Sequence, residues 1–402
     1  MPVDLYTSPA AMEPLFPERG EVALSELAAE VFKRSGALFG RLPEQTRDAV
    51  AEVLRYTNCY YSNLIEGHTT HPADIVRAMR ADYSAEPKKK DLQLEARAHV
   101  EVQKAMEARL RSEPSCSPFA PEFLGWIHHE FYKNLPLEFR TVRNPETGKE
   151  HIVEPGQFRA IEVAVGAHVA PAAQSLPGFL ARFREGYGES ESAAHRRVIA
   201  LAAAHHRLAW IHPFVDGNGR VVRLFSHALA IRLGIDGHGL WTISRGLART
   251  KARYYELLHN ADLPREGSLD GRGNLSERHL HTFCTYFLEQ MLDQMQFMHD
   301  RIRPGQLEKQ ASIFVHTRDL FGKHNELALR LIKEAITQGE FARGDASLIT
   351  GKAVSTAREI LGRVLVTGLL TSPTEKGAVR LGLPTEALDT YFPGLFPALD
   401  MG

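Results

Sequence analysis

The chain has 402 residues, 44% of them hydrophobic and 24% charged, with a formal net charge of −1. That length predicts two or three domains of ordinary soluble composition. The near-zero charge excludes a global field drawing the protein onto nucleic acid or an acidic membrane, so any such binding must come from a local patch. Cys59, Cys116 and Cys284 stand far apart with no CxxC pair, which argues against a zinc site or a disulfide framework and suits a reducing compartment. The stretch MPVDLYTSPAAMEPLFPERG is Pro-rich and acidic, unlike a secretory signal. No apolar run approaches the roughly 18 residues of a membrane span. The expectation is a cytoplasmic protein with no membrane partner.

Most of the chain carries helical periodicity. Helices are predicted over 23–38, over 43–67 with Pro43 near the start and Gly67 at the end, and over 92–110. A Pro/Ser-rich loop at 112–122 is followed by helices over 121–134, 177–186 and 191–211. Between them, 141–171 carries turn signals and the β-leaning stretch Ile161–Val165, which predicts a loop and a short hairpin. Further helices are predicted over 221–234, 248–262 and 276–299, with a polar, Gly-rich insert at 263–274. Pro304-Gly305 suggests a boundary. Beyond it the pattern reads helix (326–338), short helix (345–350), helix (354–366) and strand-turn-strand (369–383), the outline of a winged helix-turn-helix. The expected organisation is an N-terminal helical region (1–112), a core domain (113–300) and a winged-helix domain (305–402).

The densest chemistry lies in His212-Pro213-Phe214-Val215-Asp216-Gly217-Asn218-Gly219-Arg220, with Arg223 three residues on. Gly217 and Gly219 let backbone N–H groups approach an anion closely. The apolar stretch that follows predicts a helix whose positive end faces the same anion. Arg220 and Arg223 share a helix face, and guanidinium forks suit phosphate oxygens. Asp216 can hold Mg²⁺ while phosphates and water fill its other positions. His212 titrates near neutral pH and is the candidate general base. Taken singly, a Gly-Asn-Gly turn, a histidine or two helical arginines have plain structural explanations. In this order they make a site for a nucleotide phosphate.

The segment resembles the Fic family signature HxFx[D/E]GNGRxxR at every fixed position. The resemblance implies a mostly helical, all-α Fic core with a short β-hairpin flap, transferring AMP from ATP to a Ser, Thr or Tyr hydroxyl of a target protein, which can be the enzyme itself. It implies His212 as the catalytic base and Asp216 as the Mg²⁺ ligand. Gly217, Asn218 and Gly219 would form the anion hole, with nucleotide contacts running on through Arg220, Val221, Val222 and Arg223, the two arginines on the β- and γ-phosphates. Ser62-Asn63-Leu64-Ile65-Glu66-Gly67 is similar to the family's inhibitory pattern [S/T]xxxE[G/N], which implies that Ser62, Glu66 and Gly67 form an inhibitory motif. There Glu66 takes Arg223 away from the γ-phosphate. In some relatives the equivalent glutamate instead positions a water that removes AMP.

Gly156-Gln157-Phe158-Arg159 and the residues after it resemble the family's flap, which implies target docking along Ala160, Ile161, Glu162, Val163 and Ala164 by strand addition. His168-Val169-Ala170-Pro171 matches the family's His-x-Pro-Pro only in part. Arg253–Leu258 resembles the family's Tyr-Tyr helix and implies that Tyr255 faces the nucleoside, with Asn260 a weaker candidate. His205 and His206 have no Cys, Asp or Glu at ligand spacing and read as structural. Three further expectations stand beside these: a DNA-binding regulator whose Fic core senses ATP, an enzyme acting mainly to remove AMP, and a homodimer. Thr350, Lys352, Ser355, Thr356, Arg358, Arg363, Lys376 and Arg380 are the candidate DNA contacts.

Overall fold

The computed structural model describes residues 6–143, 148–166, 168–188 and 193–397. They are mostly helical. In chain order the elements are α1 (Glu21–Phe39), α2 (Glu44–Ile65), α3 (Pro72–Met79), α4 (Pro87–Ser112), α5 (Pro121–Tyr132), β1 (Thr141–Arg143), β2 (Glu150–Ile152), β3 (Ala164–Val165) and β4 (His168–Val169). Then come α6 (Leu176–Gly188), α7 (Ala194–Ile211), α8 (Asn218–Arg232), α9 (Ile243–Arg249), α10 (Lys251–Asp262), α11 (Glu277–Arg301), α12 (Pro304–Thr317) and α13 (Asn325–Gln338). The chain ends with β5 (Glu340–Phe341), α14 (Ala346–Thr350), α15 (Val354–Val366), β6 (Leu370–Thr371), β7 (Val379–Leu381) and α16 (Leu388–Tyr391). Among the described residues no helix is long and apolar enough to cross a membrane.

Several boundaries differ from the sequence expectation for local reasons. Pro304 opens a helix, because the N–H it lacks would be unpaired in a first turn anyway. The short α3 also begins on a proline, and its eight residues hold too few turns for a clear period. The helix expected over 248–262 is two helices meeting at Thr250, whose backbone (φ −117, ψ 34) breaks the run. The 141–171 stretch holds two hairpins. Thr141 pairs with Ile152 in the first, and Ala164 pairs with Val169 in the second. Within the expected flap only Ala164 is in a strand, and 161–163 run as a bend and coil. The predicted start of a helix at 191 lies outside the described residues.

The chain divides into two compact units: 1–33, 58–236 and 242–293 in one, and 34–57, 237–241 and 294–402 in the other. In the first, α7 is buried from Val198 to Leu208 and again at Trp210 and Ile211. Its Trp210 rings with Phe179 of α6, and Phe225 of α8 meets Phe119 and Phe183. Arg207, fully buried on α7, donates to the Pro14 carbonyl and to His206 Nδ1, tying the N-terminal stretch to the core. In the second unit, α13, α14 and α15 accompany a three-stranded antiparallel sheet of order β5-β7-β6. Leu331, Ile332 and Ile336 of α13 share its core with Ile360 and Val364 of α15.

Candidate functional site

Helix α7 ends at His212, which takes the left-handed conformation (φ 50, ψ 61), and α8 begins after Gly217, also left-handed (φ 78). A non-glycine residue in that region is uncommon, and surrounding contacts must hold it there. Arg159, 3% exposed, does so. Its Nε donates to the His212 carbonyl at 2.8 Å, its Nη atoms donate to the carbonyls of Ile161 and Pro171, and its N–H donates to the Pro213 carbonyl. Asn218 closes the turn from within, accepting the Phe214 N–H and donating to the Phe214 carbonyl, each at 2.9 Å.

His212 lines a cavity of about 420 Å³ together with Glu66, His168, Asn218, Gly219, Val222, Arg223, Tyr254, Tyr255 and Asp262. Burial, then the neighbouring His168 and Arg159, push the His212 pKa down to about 4, against a backbone hydrogen bond at Ala209 and the charge of Asp216. The imidazole is therefore neutral at neutral pH.

Arg223, 2% exposed, points at the end of α2. It donates to Ser62 Oγ at 2.9 Å, to the Ser62 carbonyl at 3.0 Å and to Glu66 Oε1 at 2.6 Å. Burial works against the Glu66 carboxylate, but Arg223 and Arg220 outweigh it and hold its pKa below the usual carboxylate range. The carboxylate lies directly over Gly219, where a Cβ would collide with it. This is the N-terminal turn of α8, whose unpaired N–H groups and dipole favour an anion.

Arg220, by contrast, faces α4. It forms an ion pair with Glu95 and lies 3.2 Å from His68 Nδ1, with its guanidinium over the Phe131 ring. His68 in turn bonds Glu95 at 2.7 Å. On the other side of the turn, helix α5 supplies two residues that the sequence did not mark. Tyr132 donates its hydroxyl to Asp216 Oδ2 at 2.6 Å, and His128 Nε2 donates to the Asp216 carbonyl at 3.3 Å. Glu95, His68, His128 and Tyr132 lie 84 to 152 positions from the signature residues they meet, and no local pattern sets them apart. The one usable hint is the i, i+4 spacing of His128 and Tyr132.

Tyr255 lines the cavity and its hydroxyl donates to the Ile65 carbonyl at 3.1 Å, while Lys251 donates to the Leu64 carbonyl at 3.4 Å. Both act on the last carbonyls of α2, which have no partner within their own helix. Asn260 is not among the residues lining the cavity. His168 bridges Asp262 (3.1 Å) and the Trp210 carbonyl (2.9 Å). His205 bonds Ser226 and Tyr254, and His206 bonds Asp262 and the Leu258 carbonyl, so both tie helices together. Glu162 accepts from the Ala173 N–H, which ties the middle of the expected flap to the chain beyond β4.

Residues 118–230 match the family model described as Fic/DOC family. The chain carries a Fic/DOC family domain. It is 40% identical over 82 residues to a protein named protein adenylyltransferase Fic from Drosophila grimshawi, and 42% identical over 82 residues to its namesake from Drosophila virilis. Each match takes in 20% of this chain and 17% of the fly protein. A Fic family protein from Desulfovibrio desulfuricans G20 shares the fold at a TM-score of 0.50 and 17% identity, over 89% of this chain and 96% of that one. A Fic domain containing signaling protein from Bacteroides thetaiotaomicron VPI-5482 does so at a TM-score of 0.50 and 15% identity, over 68% and 95%. The matched residues thus run from α5 into α8, with the turn and its α5 supports, and the Glu66 segment lies outside them.

His99, fully buried on α4 of this site, has no hydrogen-bond partner at either ring nitrogen, and burial followed by Arg223 and Arg220 pushes its pKa to about 3. Its folded value lies below that of the unfolded chain, so its contribution to stability is complete above about pH 6.5 and is lost as the pH falls toward 3. We expect His99→Leu to reduce the stability lost between pH 6.5 and 5 by about 2 kcal/mol, measured by urea unfolding at each pH. An unchanged pH slope would show that His99 carries no such burden.

Proposed function

We infer that the protein is an autoinhibited protein adenylyltransferase, transferring AMP from ATP to a hydroxyl of a target protein and releasing pyrophosphate. The observation that carries this reading is the pair between buried Arg223 and Glu66, lying on a glycine turn beside a neutral His212. The names of the fly relatives, over the part of the chain they match, support the same chemistry.

The residues suggest the following sequence of events. The N–H groups at the start of α8 and the Arg223 guanidinium receive the phosphate chain. His212 accepts the proton of the target hydroxyl as its oxygen bonds to the α-phosphorus. The bond from that phosphorus to the β-phosphate bridging oxygen breaks, and pyrophosphate leaves. Among the described residues no group of three or more His, Cys, Asp or Glu side chains is arranged to hold a metal alone. A single carboxylate at a phosphate turn nevertheless fits Mg²⁺, which binds one or two carboxylates plus substrate phosphates and water. Held by Asp216, it would neutralise charge developing between the α- and β-phosphates. Arg220, committed to Glu95, would stiffen the wall of the site and add positive potential at the terminal phosphates. The bend at 160–164 would dock target backbone near His212.

Glu66 supplies the restraint. Its carboxylate lies where the α8 terminus favours an anion and occupies the guanidinium that a terminal phosphate needs. Glu66→Gly should therefore raise incorporation of labelled AMP into the enzyme or lysate proteins by tenfold or more, and His212→Ala in the same background should abolish it. Unchanged labelling in the glycine variant would remove the restraint, and persistent labelling in the alanine variant would remove the base. Released pyrophosphate, followed against loss of AMP from prelabelled protein, separates an enzyme that adds AMP from one that mainly removes it.

Tyr255 and Lys251 support the same restraint by holding the α2 terminus. Tyr255→Phe should raise basal labelling a few-fold, less than Glu66→Gly does, and should add nothing in the Glu66→Gly background. An equal rise in both backgrounds would instead assign the hydroxyl to nucleotide binding.

A second role is favoured by the tail. The order α13-β5-α14-α15-β6-β7 with a β5-β7-β6 sheet supports reading the tail as a winged helix. A groove of about 480 Å³ beside α15 is lined by Arg343, Arg358 and Lys376. DNA binding there should appear as a mobility shift of promoter fragments by the full chain, weakening steeply with salt. A full chain that shifts nothing at low salt has no such role.

A further inference from the structure

Helix α5 grips the signature turn at Asp216 by two independent bonds, one to its side chain and one to its backbone. The two donors, His128 and Tyr132, stand one turn apart on the same face. The His128 proton is fixed, because Nδ1 accepts the Gly156 N–H at 2.9 Å, leaving Nε2 to donate to the Asp216 carbonyl. Its ring lies flat on Phe214, with centroids 4.0 Å apart and planes at 5°. Tyr132 is 1% exposed and packs against His128 and Phe131. Gly217 must be glycine here: a Cβ would come within 2.7 Å of the Tyr132 ring, on a backbone already left-handed.

This packing leaves the phenol no freedom to swing away. Its hydroxyl meets Asp216 Oδ2 at 2.6 Å, a short bond of the kind made to an ionised acceptor. With Oδ2 engaged and the carboxylate plane fixed, Oδ1 is the oxygen left to meet a cation at the phosphates. We propose that Tyr132 is a positioning residue that orients the Asp216 carboxylate toward the divalent cation of the nucleotide-transfer reaction. The proposal rests on the reading of Asp216 as the cation's ligand.

Tyr132→Phe keeps the ring against Gly217 and removes only the donor. In the Glu66→Gly background, with Asp216→Asn as control, three quantities are measured: Mn²⁺ binding in the presence of ATP by electron paramagnetic resonance, fluorescent ATP-analogue binding in EDTA, and AMP transfer as a function of Mg²⁺. The expected result for Tyr132→Phe is Mn²⁺ binding weaker by about tenfold, a matching rise in the Mg²⁺ needed for half-maximal transfer, and unchanged metal-free nucleotide binding. Unaltered Mn²⁺ affinity in Tyr132→Phe, with loss in Asp216→Asn, would overturn the role of Tyr132 and leave Asp216 as ligand. Unaltered affinity in both would remove Asp216 itself. Loss of metal-free nucleotide binding in Tyr132→Phe would mean that the hydroxyl only keeps the turn folded, and the positioning role would fall.

Discussion

A guanidinium buried as deeply as that of Arg223 cannot be left without an anion. Removing it from water is costly, and only a close opposite charge with well-aimed hydrogen bonds offsets the loss. In this protein the anion is Glu66, which meets Arg223 at 2.6 Å while Ser62 takes two more of its donors. Without Glu66 the same requirement would favour another anion beside Arg223. In the proposed function, restraint and substrate binding are two answers to one buried charge at the glycine turn.

The turn itself is an unfavourable shape that several remote segments impose. His212 is held in a left-handed conformation by Arg159, which gathers the carbonyls of His212, Ile161 and Pro171 around one buried cation. Since those carbonyls belong to the signature, the bend at 160–164 and the chain after β4, the His212 turn and the bend share one fixed point. Tyr132 and His128 clamp the next corner at Asp216, and Asn218 closes the loop on Phe214. Removal of water from this corner also explains the depressed pKa of His212, which leaves the imidazole neutral at neutral pH because its charged form is disfavoured.

Helical periodicity located most of the helices, and it failed where tertiary contacts or single residues override it. The break at Thr250 interrupts a run that reads as continuous, and the helix beginning at Pro304 looks like a boundary because proline marks both. The β-leaning residues 161–163 stay out of a strand because the Arg159 clamp bends the chain there and Glu162 bonds forward to Ala173. Within the candidate site, His212, Asp216, Gly217, Asn218, Gly219 and Arg223 were legible as one signature segment, because the signature's residues are adjacent in the chain. Arg220 was legible as a cation, but its commitment to Glu95 was not.

The sequence by itself determined the mostly helical class and the Fic signature segment, because both are written in short spacings along the chain. Only the tertiary structure decided what each charge meets: Arg223 with Glu66, Arg220 with Glu95, Asp216 with Tyr132, and the α2 terminus with Tyr255. These contacts join residues 84 to 190 positions apart. Burial turns such pairs from weak solvent-screened attractions into the interactions that set protonation, orientation and access, and burial is a property of the folded chain alone.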